Sequence, residues 1–244
     1  MSRADELANL TAEIVACRRC PRLVAWREQV ALEKVARFRD ETYWGRPVPG
    51  FGDHDARILI VGLAPAAHGG NRTGRVFTGD ASGDFLFSAM HAVGLANQPV
   101  GRRADDGLAL RGAYIAAAVR CAPPANKPTP LERATCQPFL VRELELLGDV
   151  RVLVALGAIA WASAFRTVVA LTGDDARPRP TFAHGAVARA GGYHVIGSYH
   201  PSQQNTFTGR LTAPMLEAVL RRAQTLAAVV AVGGSQVGAS AVRG

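Results

Sequence analysis

Arg57-Ile58-Leu59-Ile60-Val61-Gly62-Leu63 is an apolar run of strand length that opens on a charge and stops at Gly62 and Pro65. Its hydrophobic residues are continuous rather than alternating, the pattern of a strand buried on both faces. Three more short runs repeat this pattern at Ala113 to Val119, Val150 to Leu156, and His194 to Tyr199, the last preceded by Gly191 and Gly192. Segments of helical periodicity separate them at Ser82 to Val93, Leu131 to Leu147 and Ala158 to Val169, and Pro214 to Val229 follows the last run. Strands interleaved with helices in this way imply an α/β fold, with a mainly parallel sheet covered on both faces.

Working outward, Ala4 to Val15 and Leu23 to Phe38 carry apolar residues at helical spacing, so two amphipathic helices are expected ahead of the sheet. Between them and the first strand, Tyr43 to Asp53 holds Gly45, Pro47, Pro49, Gly50 and Gly52 and reads as a loop. Residues 1–227 are expected to form a single domain. Residues 228–244, mostly Ala, Val, Gly and Ser, are expected to form a low-complexity, disordered tail.

The chain has 244 residues, of which 48% are hydrophobic, enough for a substantial core, and its formal net charge of +8 suits a polyanionic partner. A merely well-solvated basic surface would carry the same charge. No apolar run approaches the roughly 20 residues needed to cross a bilayer, and the first ten residues lack the apolar segment of a signal peptide. A cytoplasmic protein without membrane attachment is therefore expected.

In a reducing compartment the four cysteines are better read as ligands than as disulfides. Cys17 and Cys20 form a CxxC between the two leading helices; Cys121 follows a strand, and Cys136 lies on a helix with fourteen residues between the two. A CxxC lets two thiolates face one centre, and two distant cysteines complete a set that would staple the leading helices to the sheet. Structural zinc, an iron–sulfur cluster and four independent buried thiols all remain open, because spacing alone does not choose among them.

In a parallel sheet, ligands bind beyond the carboxyl ends of the strands, which directs attention to the loops after Leu63, Val119 and Tyr199. After Leu63 come Ala64-Pro65-Ala66-Ala67-His68-Gly69, then Asn71-Arg72-Thr73-Gly74-Arg75 and Phe77-Thr78-Gly79-Asp80; after Tyr199 come His200-Pro201-Ser202-Gln203-Gln204-Asn205 and Thr208-Gly209-Arg210. These two segments resemble the motif regions of family 5 uracil-DNA glycosylases of the iron–sulfur superfamily, and the likeness extends through the four cysteines over about residues 5 to 225.

The resemblance implies a three-layer α/β/α sandwich with a central four-stranded sheet, and a [4Fe–4S] cluster held by Cys17, Cys20, Cys121 and Cys136. It implies a monomer acting on double-stranded DNA from which a damaged base has been flipped, because the C1′–N bond is out of reach inside the duplex. Asp80 would stabilise the cationic sugar or position water, and His200 would hydrogen-bond the departing base. Asn205 would hold a water or the nucleotide. Phe77 would stack on the base, Asn126 would read its edge, and Gly62 and Ala64 would border it. Arg72, Arg75, Ser202 and Arg210 would meet phosphates.

Each assignment has a plainer rival. Asp80 directly before a helix is a good N-cap, Asn126 among prolines suits a turn, and Phe77 could simply close its loop. Related families place a carboxylate or amide at position 66 and an Asn at position 117, where this chain has Ala66 and Ala117. The resemblance therefore implies a looser pocket that takes hypoxanthine and etheno-cytosine besides uracil. No lysine stands in either motif, so an abasic site without strand cleavage is expected. A non-catalytic DNA-binding iron–sulfur redox module is the alternative from a different class. A small-molecule enzyme is disfavoured because the loop after Leu63 lacks G-x-G-x-x-G. A wedge filling the space left by a flipped nucleotide would come from a loop near Leu211, its identity left open by the sequence.

Overall fold

The computed structural model describes residues 2–174 and 180–228. Its centre is four parallel strands: β2 (Ile58–Gly62), β3 (Ala113–Ala117), β4 (Val152–Leu156) and β6 (Tyr193–Ser198), in the spatial order β3-β2-β4-β6. Antiparallel edges extend both sides, β1 (Phe51–Gly52) against β3 and β5 (Val187–Ala190) against β6. Among the described residues the sheet thus has six strands rather than the expected four. The extra two are short or amphipathic: Phe51 and Gly52 lie inside the predicted loop, and β5 is largely solvent-facing.

Side chains alternate across the sheet with a period of two. Ile58, Ile60, Ile115, Val152, Val154 and Ile196 point to one face and pack on α4 (Ala81–Ala92) and α8 (Ala213–Ala228). Leu59, Val61, Tyr114, Leu153, Ala155 and Val195 point to the other and meet α5 (Pro130–Leu146) and α6 (Ala158–Thr172). This is why the strand sequences are apolar throughout: neither face is wet. From β2 the chain crosses by α4 to β3, then by α5 on the opposite face to β4. The strand order therefore reverses around β2, and a crevice opens at the carboxyl ends of the strands.

The leading segment forms α1 (Arg3–Ala16) and α2 (Pro21–Glu33), with Leu10, Ile14 and Leu23 buried against Phe139 of α5. The second helix stops short of the predicted Phe38. Lys34 takes φ 54°, which breaks the helical path, and Ala36–Phe38 is a separate 3₁₀ turn. Of the tail predicted for residues 228–244, Ala228 is the last residue of α8 and the rest lies outside the described residues. Among those described, no helix is long and apolar enough to cross a membrane.

Candidate active site

Two short helices complete the crevice: α3 (Gly70–Thr73) in the loop after β2 and α7 (Gln203–Phe207) after β6. Between these loops lies a cavity of about 520 Å³ bordered by Asp80, His200, Phe77, Asn126, Ala64 and Ser202. The sequence separates Asp80 from His200 by a hundred and twenty positions; the parallel sheet brings both to its carboxyl edge. Ala66 and Ala117 line the same cavity with methyl groups.

Asp80 is the N-cap of α4, its Oδ1 accepting from the Gly83 N–H at 3.0 Å. Burial raises its pKa above the ordinary carboxylate value, against the opposing pull of the Gly83 and Ser82 N–H groups and, more weakly, of Arg72. The cap role and a role toward the cavity coexist, since Asp80 borders that space. His200 follows the last parallel strand, and burial lowers its pKa to about 4, so the imidazole is neutral at physiological pH.

Phe77 sits 5.8 Å from the His200 ring and takes φ 52°, a conformation that costs a bulky residue on the order of 1–3 kcal/mol. Gly62 makes this seat possible, because a Cβ there would lie 2.7 Å from the Phe77 ring. Gly62 therefore backs the aromatic ring and is not itself among the cavity-lining residues. Asn126 is exposed at the rim with φ 56°.

Other assignments change. Asn205 is outside the lining; its Nδ2 donates to the His200 carbonyl at 2.8 Å and so braces the loop. Arg72 and Arg75 are buried and hold the protein together instead of meeting phosphate. Arg72 pairs with Glu41, donates to the carbonyls of His68 and Gly79, and lies over the Phe38 ring. Arg75 grips both oxygens of Asp106 at 2.8 and 2.9 Å and donates to Thr78 and to the Ala104 carbonyl. Leu211, at 1% exposure, belongs to the core under α8 and has no freedom to act as a wedge. Arg210 is exposed, its guanidinium 4.5 Å from the centroid of the Tyr199 ring.

These placements give a direct expectation for salt dependence. On duplex DNA, the partner that the sequence resemblance implies, Arg210→Ala should reduce the slope of affinity against salt by about one with little change in melting. Arg75→Ala should leave the slope unchanged and cost about 2–3 kcal/mol of stability, since it removes a buried side chain bonded to Asp106, Thr78 and the Ala104 carbonyl. Titrating both variants with duplex at several salt concentrations, alongside urea melts, separates the two roles.

Ser82, Gln203 and Gln204 also border the cavity, though the motif reading gives them no role. Their positions carried a signal: Ser82 is the second residue of the helix that Asp80 caps, and the glutamines fall between His200 and Asn205.

The four cysteines meet in one small cavity between α1, α2, the exit of β3, and α5. Among the described residues, no three His, Cys, Asp or Glu side chains are grouped closely enough to hold a single metal ion. Burial pushes the Cys121 thiol up to about 12, and Cys136 and Cys20 also upward. Beside them lies Arg27, 2% exposed, with Nη1 donating to Cys121 Sγ at 3.1 Å while its buried Nε has no partner. A buried cation aimed at sulfur fits an anionic thiolate-bound centre, which would offset its charge. The backbone N–H of Arg120 points at Cys136 Sγ at 3.4 Å in the same sense.

Fold and site together define a class: a doubly wound α/β protein that gathers a half-buried carboxylate and a neutral imidazole around one cavity, with a four-cysteine cavity to one side. Residues 49–224 match the family model described as Uracil DNA glycosylase superfamily, and the chain belongs to that family. It is 54% identical over 228 residues to a type-5 uracil-DNA glycosylase of Mycobacterium tuberculosis, covering 93% of this chain and 84% of that protein. It is 55% identical over 215 residues to the type-5 uracil-DNA glycosylase of Thermus thermophilus, covering 88% and 95%. A type-4 uracil-DNA glycosylase of Thermotoga maritima is more distant, 33% identical over 157 residues, covering 64% and 69%. The chain thus stands with the type-5 members, whose name describes hydrolases of N-glycosyl bonds.

Proposed function

We propose that this protein acts as a monomer on double-stranded DNA and hydrolyses the N-glycosidic bond of a flipped uracil or other deaminated base, leaving an abasic site. The observation that carries the reading is the shared cavity of Asp80 and His200 at the carboxyl edge of the sheet.

Departure of the base builds negative charge on its carbonyl oxygen and positive charge on the sugar. His200, kept neutral by desolvation in the crevice, donates a hydrogen bond to the base as that charge forms. Asp80 faces the sugar, where its carboxylate stabilises the cation or orients the attacking water. Phe77 stacks on the base, and Asn126 at the rim reads its edge. Ala64 borders the base, while Ser202 and Arg210 lie toward the phosphates. Ala66 and Ala117 present methyl groups where a polar side chain would reject a mismatched base, which supports acceptance of hypoxanthine and etheno-cytosine as well.

Cys17, Cys20, Cys121 and Cys136 would hold a [4Fe–4S] cluster, which when bound supplies bonds that tie α1 and α2 to β3 and α5. A cluster would demand less convergence than zinc, since its thiolate ligands need not meet at a single ion. Arg27 supplies the compensating charge.

The test uses protein that shows cluster absorbance near the violet–blue edge, incubated with duplexes carrying one uracil, hypoxanthine or etheno-cytosine. Strand breaks are expected only after alkali, strongest with uracil. No alkali-labile product on any duplex would overturn the proposal, and breaks before alkali would overturn its hydrolytic form.

A further inference from the structure

We propose that His184 is a positioning residue for His200, acting through the backbone of Tyr199; the inference rests on the catalytic reading of His200 given above. Strand β6 ends at Ser198, so the Tyr199 N–H has left the sheet ladder. His184 Nδ1 accepts from that N–H at 3.2 Å. On the other side, Asn205 Nδ2 donates to the His200 carbonyl at 2.8 Å. The N–H of the residue before the imidazole and the carbonyl of its own residue are therefore each gripped by a side chain.

The approach of His184 is built into the fold. The segment before β5 runs beside β6, with the Gly185 N–H donating to the Gly197 carbonyl at 2.8 Å and the Gly197 N–H to the Ala186 carbonyl at 2.9 Å. Position 197 has to be glycine for this, because a Cβ there would lie 2.5 Å from the Ala183 carbonyl oxygen. Pressed in this way, the His184 ring stacks on the Tyr199 ring at 5.1 Å and 28°. The edge of Phe182 meets the same ring at 6.3 Å, and the Arg210 guanidinium stands 4.5 Å from it.

For Nδ1 to accept, the neutral imidazole must carry its proton on Nε2. Burial lowers the pKa of His184, and a hydrogen bond to the Met215 backbone engages the ring as well. One small element thus sets the height at which His200 leaves the strand. A group that must meet a departing oxygen is sensitive to that height, since displacement by about 1 Å can cost on the order of a hundredfold in rate.

The experiment compares His184→Leu, which removes the acceptor, with His184→Asn, whose Oδ1 sits near the former Nδ1, and with His200→Ala as reference. Single-turnover excision on a uracil duplex, affinity for an abasic-site duplex and melting temperature are measured for each. His184→Leu is expected to lower the excision rate by roughly ten- to a hundredfold with affinity nearly unchanged, and His184→Asn to restore most of it. Equal losses in both variants, tracking a fall in melting temperature, would reduce His184 to packing and overturn the inference. A wild-type rate in His184→Leu beside a dead His200→Ala would overturn it alone and leave the base-removal reading standing. A wild-type rate in His200→Ala would overturn that reading and this inference with it. Should His184→Leu fail to fold, nitrogen NMR of the native protein decides: an unprotonated Nδ1 on His184 at neutral pH is required, and a protonated Nδ1 overturns the proposal.

Discussion

Replacing His200 by alanine is expected to slow single-turnover release of uracil by about 10²- to 10³-fold, the usual loss when one donor to a developing oxyanion is removed. Affinity for a duplex already carrying an abasic site should barely change, because in the proposed mechanism the lost hydrogen bond serves the departing base and not the phosphates. Asp80→Asn should show a loss of similar size, and the double variant should lose less than the product of the two, because both groups act on one transition state. The pH dependence follows from the depressed pKa. An imidazole that titrates near 4 in the folded protein and near 6.5 when unfolded is neutral through the physiological range, so its contribution to excision should not vary with pH above about 4. Between those two values the unfolded chain binds a proton that the folded chain refuses. Stability contributed by the neutral ring therefore falls as pH drops through that window, by at most about 3 kcal/mol, and His200→Ala should flatten this part of the profile. Urea melts at stepped pH, paired with quenched excision assays, read both effects. A wild-type excision rate in the alanine variant would remove His200 from the chemistry.

The parts of this molecule legible in the sequence are those where one local rule decides the outcome. Ile58 to Gly62 and Val152 to Leu156 are apolar on every residue because helices cover both sheet faces, and a continuous run announces that burial. The strand-tip rule then locates Asp80 and His200 at a common edge with no knowledge of their contacts. Where the outcome turns on a partner far along the chain, sequence alone misleads. Arg75 sits in a Gly-rich loop like any phosphate-binding arginine, and only the fold reveals Asp106, thirty-one positions on, accepting from its Nη2 with both carboxylate oxygens. Leu211 follows an exposed turn, yet α8 draws it under the sheet. Edge strands escape for another reason: Phe51 and Gly52 pair across only two residues, and glycine there reads as a turn until β3 is seen beside it. His184 belongs to no motif, because its role comes from a neighbouring strand and not from its own sequence context.

The largest effect on stability is expected at Glu143, a residue that no motif marks. Its carboxylate and the Arg120 guanidinium are each 1% exposed and joined by two hydrogen bonds, Nη1 to Oε1 at 3.0 Å and Nη2 to Oε2. Oε1 also accepts from the Gly50 N–H at 3.2 Å, so the pair fastens the loop ahead of β1 to α5. Its charge raises the pKa of the neighbouring Tyr114 hydroxyl further than burial alone. Glu143→Leu leaves a guanidinium in a dry interior with its cation uncompensated, a change that typically costs about 3–5 kcal/mol. The damage should extend beyond folding, because the Arg120 backbone N–H faces Cys136 Sγ and the residue lies between β3 and Cys121. With the proposed [4Fe–4S] cluster bound, partial loss of violet–blue absorbance in the purified variant is therefore expected alongside a lowered urea midpoint. Adding Arg120→Met should recover much of the stability, since removing both charges leaves no buried ion alone. If the double variant proves no more stable than Glu143→Leu, the cost arises from lost packing around Gly50 and Tyr114 and not from an unpaired charge.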